Sequence, residues 1–315
     1  MALLAAQSHP TAPAGARSGL LPARLLVPRR TAVGIRTAHA PVCLGTVACP
    51  PGRPEGKPVK SFAKNVLSEF GIHVSRSAFE HLDTHLMALI RRLDINCILD
   101  VGAHHGEYGT ILRDAGYKGR IVSFEPVSAH FAVLAERARC DRQWKVLPIA
   151  LGVRDEAAEI NLFEGTTFAS LLTASDYGTT AFPGKMRSIG KERIRTRRLE
   201  DMFDECVRGI GDPRVLLKTD CQGLDLQVLQ GAGARLAEVC AVQSEVSVNP
   251  IYSGMSNTVA EFFPALLGAG FRLTGLFPVN RDRNDGLSIV ELDCVFFRPP
   301  VRPSDRTGAA LRALP

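Results

Sequence analysis

From residue 96 to residue 297 short apolar runs alternate with stretches of helical period, and no other feature narrows the fold so far. "NCILDV", "GRIVSFEP" and "WKVLPIAL" read as strands, with "GEYGTILRDAGY" and "SAHFAVLAERARC" as the helices between them. "AAEINLF" is a short fourth strand. After a polar, glycine-containing segment come "RIRTRRL", the helix-like "EDMFDECV", the strand "RVLLKTD", the helix "LDLQVLQGA" and the strand "CAVQSEV". The helix "TVAEFFPALLGAG" and the strands "FRLTGLF" and "LDCVFF" finish the body. Wholly apolar strands separated by helices need cover on both faces, which predicts an α/β fold built on a mostly parallel sheet. The last two strands leave no room for a helix between them, so that edge is expected to be antiparallel.

Around this body the composition shifts. Residues 1–60 are rich in Ala, Pro, Arg and Gly, with no sustained period, and are expected to be a disordered basic tail. An Arg-rich transit peptide and an extension from a misassigned start codon are the other readings of that segment. Residues 61–94 show helical period; in "SAFEHLDTHLMALIRRL", Phe79, Leu82, Leu86, Leu89 and Leu93 share one face. The body spans 95–298, and residues 299–315 are expected to be a loose C-terminal tail. The first 54 residues hold six arginines and no acid, so the 38 basic residues of the chain fall to 32 against 32 acids in 55–315. A balanced body makes no electrostatic case for nucleic acid, and no apolar run is long enough to span a membrane. Eight cysteines without a CxxC pair, such as Cys97 and Cys294 in apolar runs, read as reduced thiols in a cytoplasmic protein; Cys43 and Cys49 in the tail are free to pair.

The stretch "CILDVGAHHGEYGT" carries the first chemical signal. Ligands of open α/β sheets bind beyond the carboxyl ends of strands, and this glycine loop lies at such an end. Gly102 lets the backbone turn and a ligand approach, and Gly106 opens the next helix, whose free N–H groups favour an anion. About 25 residues on, Glu125 ends the second strand, where a carboxylate accepts both hydroxyls of a ribose. The pair points to an adenosine-bearing cofactor. A dinucleotide fingerprint needs glycine where His104 stands, and the initial acid, Asp100, suits a cationic amino-acid moiety instead. His104 and His105 as a metal pair are set aside, because adjacent loop residues diverge and Asp100 is the only acid near; no metal is assigned. His81 and His85, four apart on a helix without a third ligand, and His130 are read as helix-surface residues.

Six blocks in order resemble the FkbM family of S-adenosylmethionine-dependent methyltransferases, over residues 95–297. "DVGAHHGEY" resembles the family's D-V-G-A-N-x-G-x-Y loop, "SFEP" its second-strand end, "IALG" its third-strand end and "RTRRLEDM" its T-L-D-D segment. "LLKTDCQGLDLQVLQG" resembles L-I-K-I-D-V-E-G-x-E-x-x-V-L-x-G, and "AVQSEV" the strand that ends in Glu. His104 stands in place of Asn, Gln222 in place of Glu, and Thr219 and Cys221 in place of aliphatic residues. The resemblance implies a class I Rossmann-like fold with seven strands, helices on both faces, and S-adenosyl-L-methionine as cofactor. It implies cofactor contacts from Asp100, Gly102, Ala103, His104, Gly106, Tyr108, Glu125, Pro126 and the backbone at Ala150. Ser170 and Phe168, in the polar segment 163–178, are candidates for the adenosine side.

Lys218 and Asp220 flank Thr219, so both point to one face at a strand end. Asp220 is the candidate to take or orient an acceptor proton, Lys218 to tune its charge, and Glu245 to bind acceptor hydroxyls or support the lysine. Tyr252, in "NPIYSGMS", is a candidate to stack on a sugar ring. The expected activity is O-methylation of a sugar, glycan, or glycosylated or polyketide metabolite. A non-catalytic binding protein, suggested by His104 and Gln222, and an NAD-dependent oxidoreductase are the alternatives. No feature of the sequence sets an oligomeric state.

Overall fold

The computed structural model describes residues 81–300. The expectations for 1–60, for the helical pattern at 61–80 and for 301–315 lie outside those residues, as do Cys43 and Cys49.

The chain enters the fold on helix α1 (Leu82–Arg92), which buries Leu86, Leu89 and Ile90. Strand β1 (Cys97–Val101), helix α2 (Glu107–Asp114), strand β2 (Arg120–Phe124), helix α3 (Ser128–Ala138) and strand β3 (Trp144–Leu147) follow. After an excursion described below come helix α5 (Leu199–Val207), strand β7 (Val215–Thr219), helix α6 (Asp225–Gly231) and strand β8 (Val239–Ser247). Helix α7 (Val259–Gly268) and strands β9 (Arg272–Arg281) and β10 (Ile289–Phe297) complete the main sheet. Its order is β3-β2-β1-β7-β8-β10-β9. All neighbours pair parallel except β10, which runs antiparallel to both β8 and β9. The reversed strand is therefore the inner member of the last pair, and the outermost strand runs with the rest.

Alternation along each strand divides the core between two faces. Cys97, Leu99 and Val101 of β1 pack with Val215 and Leu217 of β7 against Met202, Phe203, Val228, Leu229 and Phe262 from α5, α6 and α7. Ile98 and Leu216 point the other way, toward Leu86, Leu112 and Leu134 from α1, α2 and α3. Continuously buried strands are the consequence of helices on both sides.

The excursion between β3 and α5 builds a second sheet. Strands β4 (Ala150–Leu151), β5 (Glu156–Phe163) and β6 (Ser188–Arg197) form a three-stranded sheet in the order β4-β6-β5, with a 3-10 turn at Thr166–Phe168 and helix α4 (Asp176–Ala181) between β5 and β6. "WKVLPIAL", read as one strand, thus splits at Pro148 and Ile149 and feeds two sheets. Phe163, Phe168, Phe182, Met186 and Tyr252 give this part its own apolar cluster.

The chain reverses its direction of travel across the sheet between β1 and β7, since β2 and β3 lie to one side of β1 and the later strands to the other. A crevice forms at the carboxyl ends of strands at such a point. Phe203 of α5 is fully buried in the core on one face of this sheet. Phe203→Ala is expected to lower unfolding free energy by about 3–5 kcal/mol, while Val133→Ala, at a position 43% exposed, stays within about 0.5 kcal/mol of the parent; urea unfolding curves measure both.

Candidate active site

Four register-matched residues run across the sheet at one level. Ser123, Asp100, Lys218 and Gln243 are direct neighbours on β2, β1, β7 and β8. Ser123 Oγ donates to Asp100 Oδ2 at 2.9 Å, and Lys218 Nζ stands 3.3 Å from Asp100 Oδ1 and 3.6 Å from Asp220 Oδ2. Lys218 also donates to the Gly102 carbonyl at 3.3 Å. Burial works against its charge, but Asp100 and Asp220 outweigh that and hold the ammonium above the ordinary lysine range. Tyr108 lies on the same side: Lys218 Nζ sits 5.3 Å from its ring centroid, and its hydroxyl donates to Gln243 Oε1 at 2.9 Å.

The loop after β1 is stitched down on both sides. Gly102 and Ala103 donate to the Phe124 carbonyl at 3.0 Å each, and the Asp220 N–H donates to the Val101 carbonyl at 3.0 Å. Gly102 has φ +75°, and a Cβ there would collide with the Asp220 carbonyl oxygen. The close neighbour that demands glycine is thus backbone from the β7 loop, where the sequence suggested a ligand. Gly106, at φ +84°, caps α2 as expected.

A cleft opens beyond these strand ends, lined by Gly102, His104, Glu125, Pro126, Ala150, Ser170 and Asp220 among the candidate residues. Asp100, Ala103, Gly106, Tyr108, Lys218 and Glu245 are not in its lining. Asp100 is wholly buried and engaged by Ser123 and Lys218, so it anchors the loop from behind the cleft. Tyr108 is likewise spent on Gln243. Thr166, Thr167 and Leu171 from the second sheet's excursion close the far wall, so segment 163–178 borders the cleft as the resemblance implied. Within it, Ser170 donates to the Gln222 carbonyl at 2.7 Å and accepts the Leu172 N–H at 3.1 Å. Its hydroxyl is a clasp between the two walls. The backbone runs of 166–171 carry no sequence mark for this role, because their position depends on a sheet the alternating pattern did not separate.

Glu125 caps backbone: its carboxylate accepts the His104 N–H at 2.8 Å on one oxygen and the Val127 N–H at 2.9 Å on the other. Oε2 keeps a second lone pair for a ribose hydroxyl, while His130 Nδ1 stands 3.7 Å from Oε1. With Pro126 beside it and an open floor at Gly102, the donors and acceptors of the wall fit an adenosine-bearing cofactor.

At the mouth, Gln222 adopts φ +50° and its Nε2 donates to Asp220 Oδ1 at 2.8 Å and to Glu245 Oε2 at 3.4 Å. An amide bridges two carboxyls that a glutamate at 222 would repel. Burial, then Asp220 and Glu291, raise Glu245 well above the usual glutamate range. Burial and Asp220 push Asp225 up to about 7. Tyr252 is fully buried, its hydroxyl 2.8 Å from Gln222 Oε1 and 3.0 Å from the Phe168 carbonyl, so its ring is not available to stack on a sugar.

The histidines fall differently from the sequence reading. His85 is buried on α1, with Nε2 2.9 Å from Thr274 Oγ1. His130 is also buried, its Nδ1 3.7 Å from Glu125 Oε1. His104 and His105 do not diverge: their ring centroids are 3.8 Å apart, and His130 lies 4.4 and 5.1 Å from them. His104 itself adopts a left-handed φ of +48° in this loop.

A glycine loop after β1, an acid at the end of β2 and this strand order define a class I S-adenosylmethionine-dependent methyltransferase. The chain matches the methyltransferase FkbM domain over residues 100–273, more than half its length, and belongs to that family. No curated protein matches it. Solved structures it is similar to include an rRNA methylase from Streptococcus thermophilus (9% identity, TM-score 0.39, covering 71% of this chain and 99% of that one). Others are a putative O-methyltransferase from Klebsiella pneumoniae (14%, 0.37, 78% and 91%) and Aeropyrum pernix fibrillarin with natively bound S-adenosyl-L-methionine (12%, 0.36, 64% and 66%). Likenesses this distant say nothing about the substrate.

Gly102→Ala is expected to cost more than the roughly 1–2 kcal/mol of left-handed backbone alone, since the methyl also meets the Asp220 carbonyl; denaturant unfolding reads the loss, and calorimetry the accompanying fall in S-adenosylmethionine affinity. A carboxyl with a raised folded pKa binds its proton more tightly when folded. Asp225 therefore adds stability that is complete below its unfolded value of 3.8 and lost as pH rises through about 7. In Asp225→Asn, thermal midpoints from about pH 4 to about pH 8 should fall less steeply, with Glu291, itself near 7, leaving a residual slope.

Proposed function

We propose that this methyltransferase transfers methyl to a hydroxyl oxygen of a sugar, glycan, or glycosylated or polyketide metabolite, with Asp220 as general base. The observation that carries the reading is Asp220 itself: a 37% exposed carboxylate in the cleft lining, held from behind by Lys218 and from the side by Gln222. When bound, the cofactor supplies an electrophilic methyl on a sulfonium sulfur, and the acceptor oxygen must lose its proton as it attacks.

Glu125 would hold a ribose hydroxyl through its spare Oε2 lone pair, Pro126 and the Ala150 backbone would border the adenosine side, and Gly102 and His104 line the remaining wall. Lys218 beside Oδ2 and Gln222 on Oδ1 fix the orientation of the Asp220 carboxylate, whose exposed lone pairs would receive the acceptor's proton. Glu245 stands behind the cleft lining, where it accepts from Gln222 Nε2 at 3.4 Å and helps to fix the amide beside Asp220. A balanced charge over 55–315 supports a neutral, hydroxylated acceptor over a polyanionic nucleic acid. The described cysteines are all free, three of them buried, which supports a reducing, cytoplasmic setting. Among the described residues no helix is long and apolar enough to cross a membrane.

Transfer of labelled methyl into a panel of glycans, glycosides and hydroxylated metabolites, with mass spectrometry of the product, tests the reading. The expected product carries a new methyl ether. Cofactor binding without transfer to any acceptor would turn the reading toward a binding protein, and methylated RNA would overturn the acceptor class. In Asp220→Asn, turnover should fall by about two to four orders of magnitude while calorimetric S-adenosylmethionine affinity stays close to the parent's.

A further inference from the structure

The loop between β1 and α2 and the first turn of α3 bring three imidazoles to one place. One ring nitrogen from each of His104, His105 and His130 lies within 4.8 Å of the other two. The rings are not randomly turned. His104 Nδ1 faces Glu107 Oε2 at 3.5 Å, His105 Nδ1 faces Glu107 Oε1 at 3.6 Å, and His130 Nδ1 faces Glu125 Oε1 at 3.7 Å. Each ring therefore has a carboxylate within 4 Å of its Nδ1, an arrangement that favours Nε2 as the ligand nitrogen. Such carboxylate backing fixes the tautomer and raises ligand basicity in histidine-ligated metal sites. His104 Nε2 is buried and has no hydrogen-bond partner. A buried nitrogen acceptor without a donor is unfavourable, and stacking of the rings does nothing to satisfy it.

We propose that His104, His105 and His130 form a site for a divalent transition-metal ion of the zinc class. Three imidazoles suit zinc, cobalt, nickel or copper, and have little to offer magnesium or calcium, which prefer oxygen ligands. Bonds of about 2.0–2.1 Å need the three nitrogens gathered around one point. His105, 31% exposed on its side chain, has the room to swing inward. A fourth position is left for water or another ligand. Arg137 Nη1 is 3.8 Å from Glu107 Oε1, and its charge opposes the ion. The ion would tie the loop to α3, and His104 and His130 both line the cofactor cleft. The proposal rests on the ring geometry and stands apart from the reading of the acceptor.

The test is cobalt titration of the full chain without cofactor, followed by its visible spectrum, then displacement by zinc against a chromophoric chelator. The parent protein should take up one equivalent with the bands of a four- or five-coordinate nitrogen site, and zinc should displace it. His105→Ala should lose this equivalent, with its far-ultraviolet circular dichroism unchanged. Glu107→Gln, which leaves all three rings in place, should weaken zinc by about tenfold. Equal zinc uptake by the parent and both variants, thiolate charge-transfer bands, or a six-coordinate spectrum would each overturn the proposal.

Discussion

Lys218 is the residue on which the site hangs. Its ammonium is buried between Asp100 and Asp220, and it reaches the carbonyl of Gly102 as well. A buried charge is tolerated only when paired and hydrogen-bonded, so one side chain couples the end of β1, the end of β7 and the glycine loop between them. Loss of either carboxylate would leave the buried lysine with one partner for its charge instead of two. The polar row from Ser123 to Gln243 extends that constraint across four adjacent strands. Register is consequently fixed where a one-residue slip would put charge into the apolar face.

From this row the cleft follows. Gly102 has no side chain because the Asp220 carbonyl occupies the space one would need, and that approach brings the Asp220 carboxylate to the cleft floor. The far wall belongs to a second sheet with its own apolar cluster, joined to the first by the Ser170 and Tyr252 hydrogen bonds to the segment around Gln222. Gln222 then has a physical logic as a departure from the family's usual glutamate. Between Asp220 and Glu245, an amide can donate to both carboxyls, whereas a third carboxylate would add repulsion in a low-dielectric pocket.

Much of this could be read along the chain. Alternating periods identified the sheet and its helices, because burial on both faces leaves strands apolar throughout. Gly106, Glu125 and the pair Lys218 and Asp220 were visible from strand-end position and two-residue alternation. Other roles were hidden by contacts distant in sequence. Asp100 proved a buried anchor because Lys218 lies opposite it on β7, and Tyr252 a clasp because Phe168 and Gln222 meet its hydroxyl. The split of "WKVLPIAL" between two sheets was equally hidden, since an apolar run has the same pattern whichever sheet it joins.

The sequence by itself determined the fold class, the strand ends that carry the cofactor loop, and the family. These rest on local period and on motifs whose spacing is kept within single strand-turn-helix units. Only the tertiary structure decided which candidates face the cleft and which stand behind it. It alone brought His130, some 25 positions downstream, onto His104 and His105. Adjacent residues in an extended loop point apart, but here His104 is left-handed, and the first turn of α3 brings His130 against both rings. Convergence of that kind depends on where two elements dock, and the period of neither element records it.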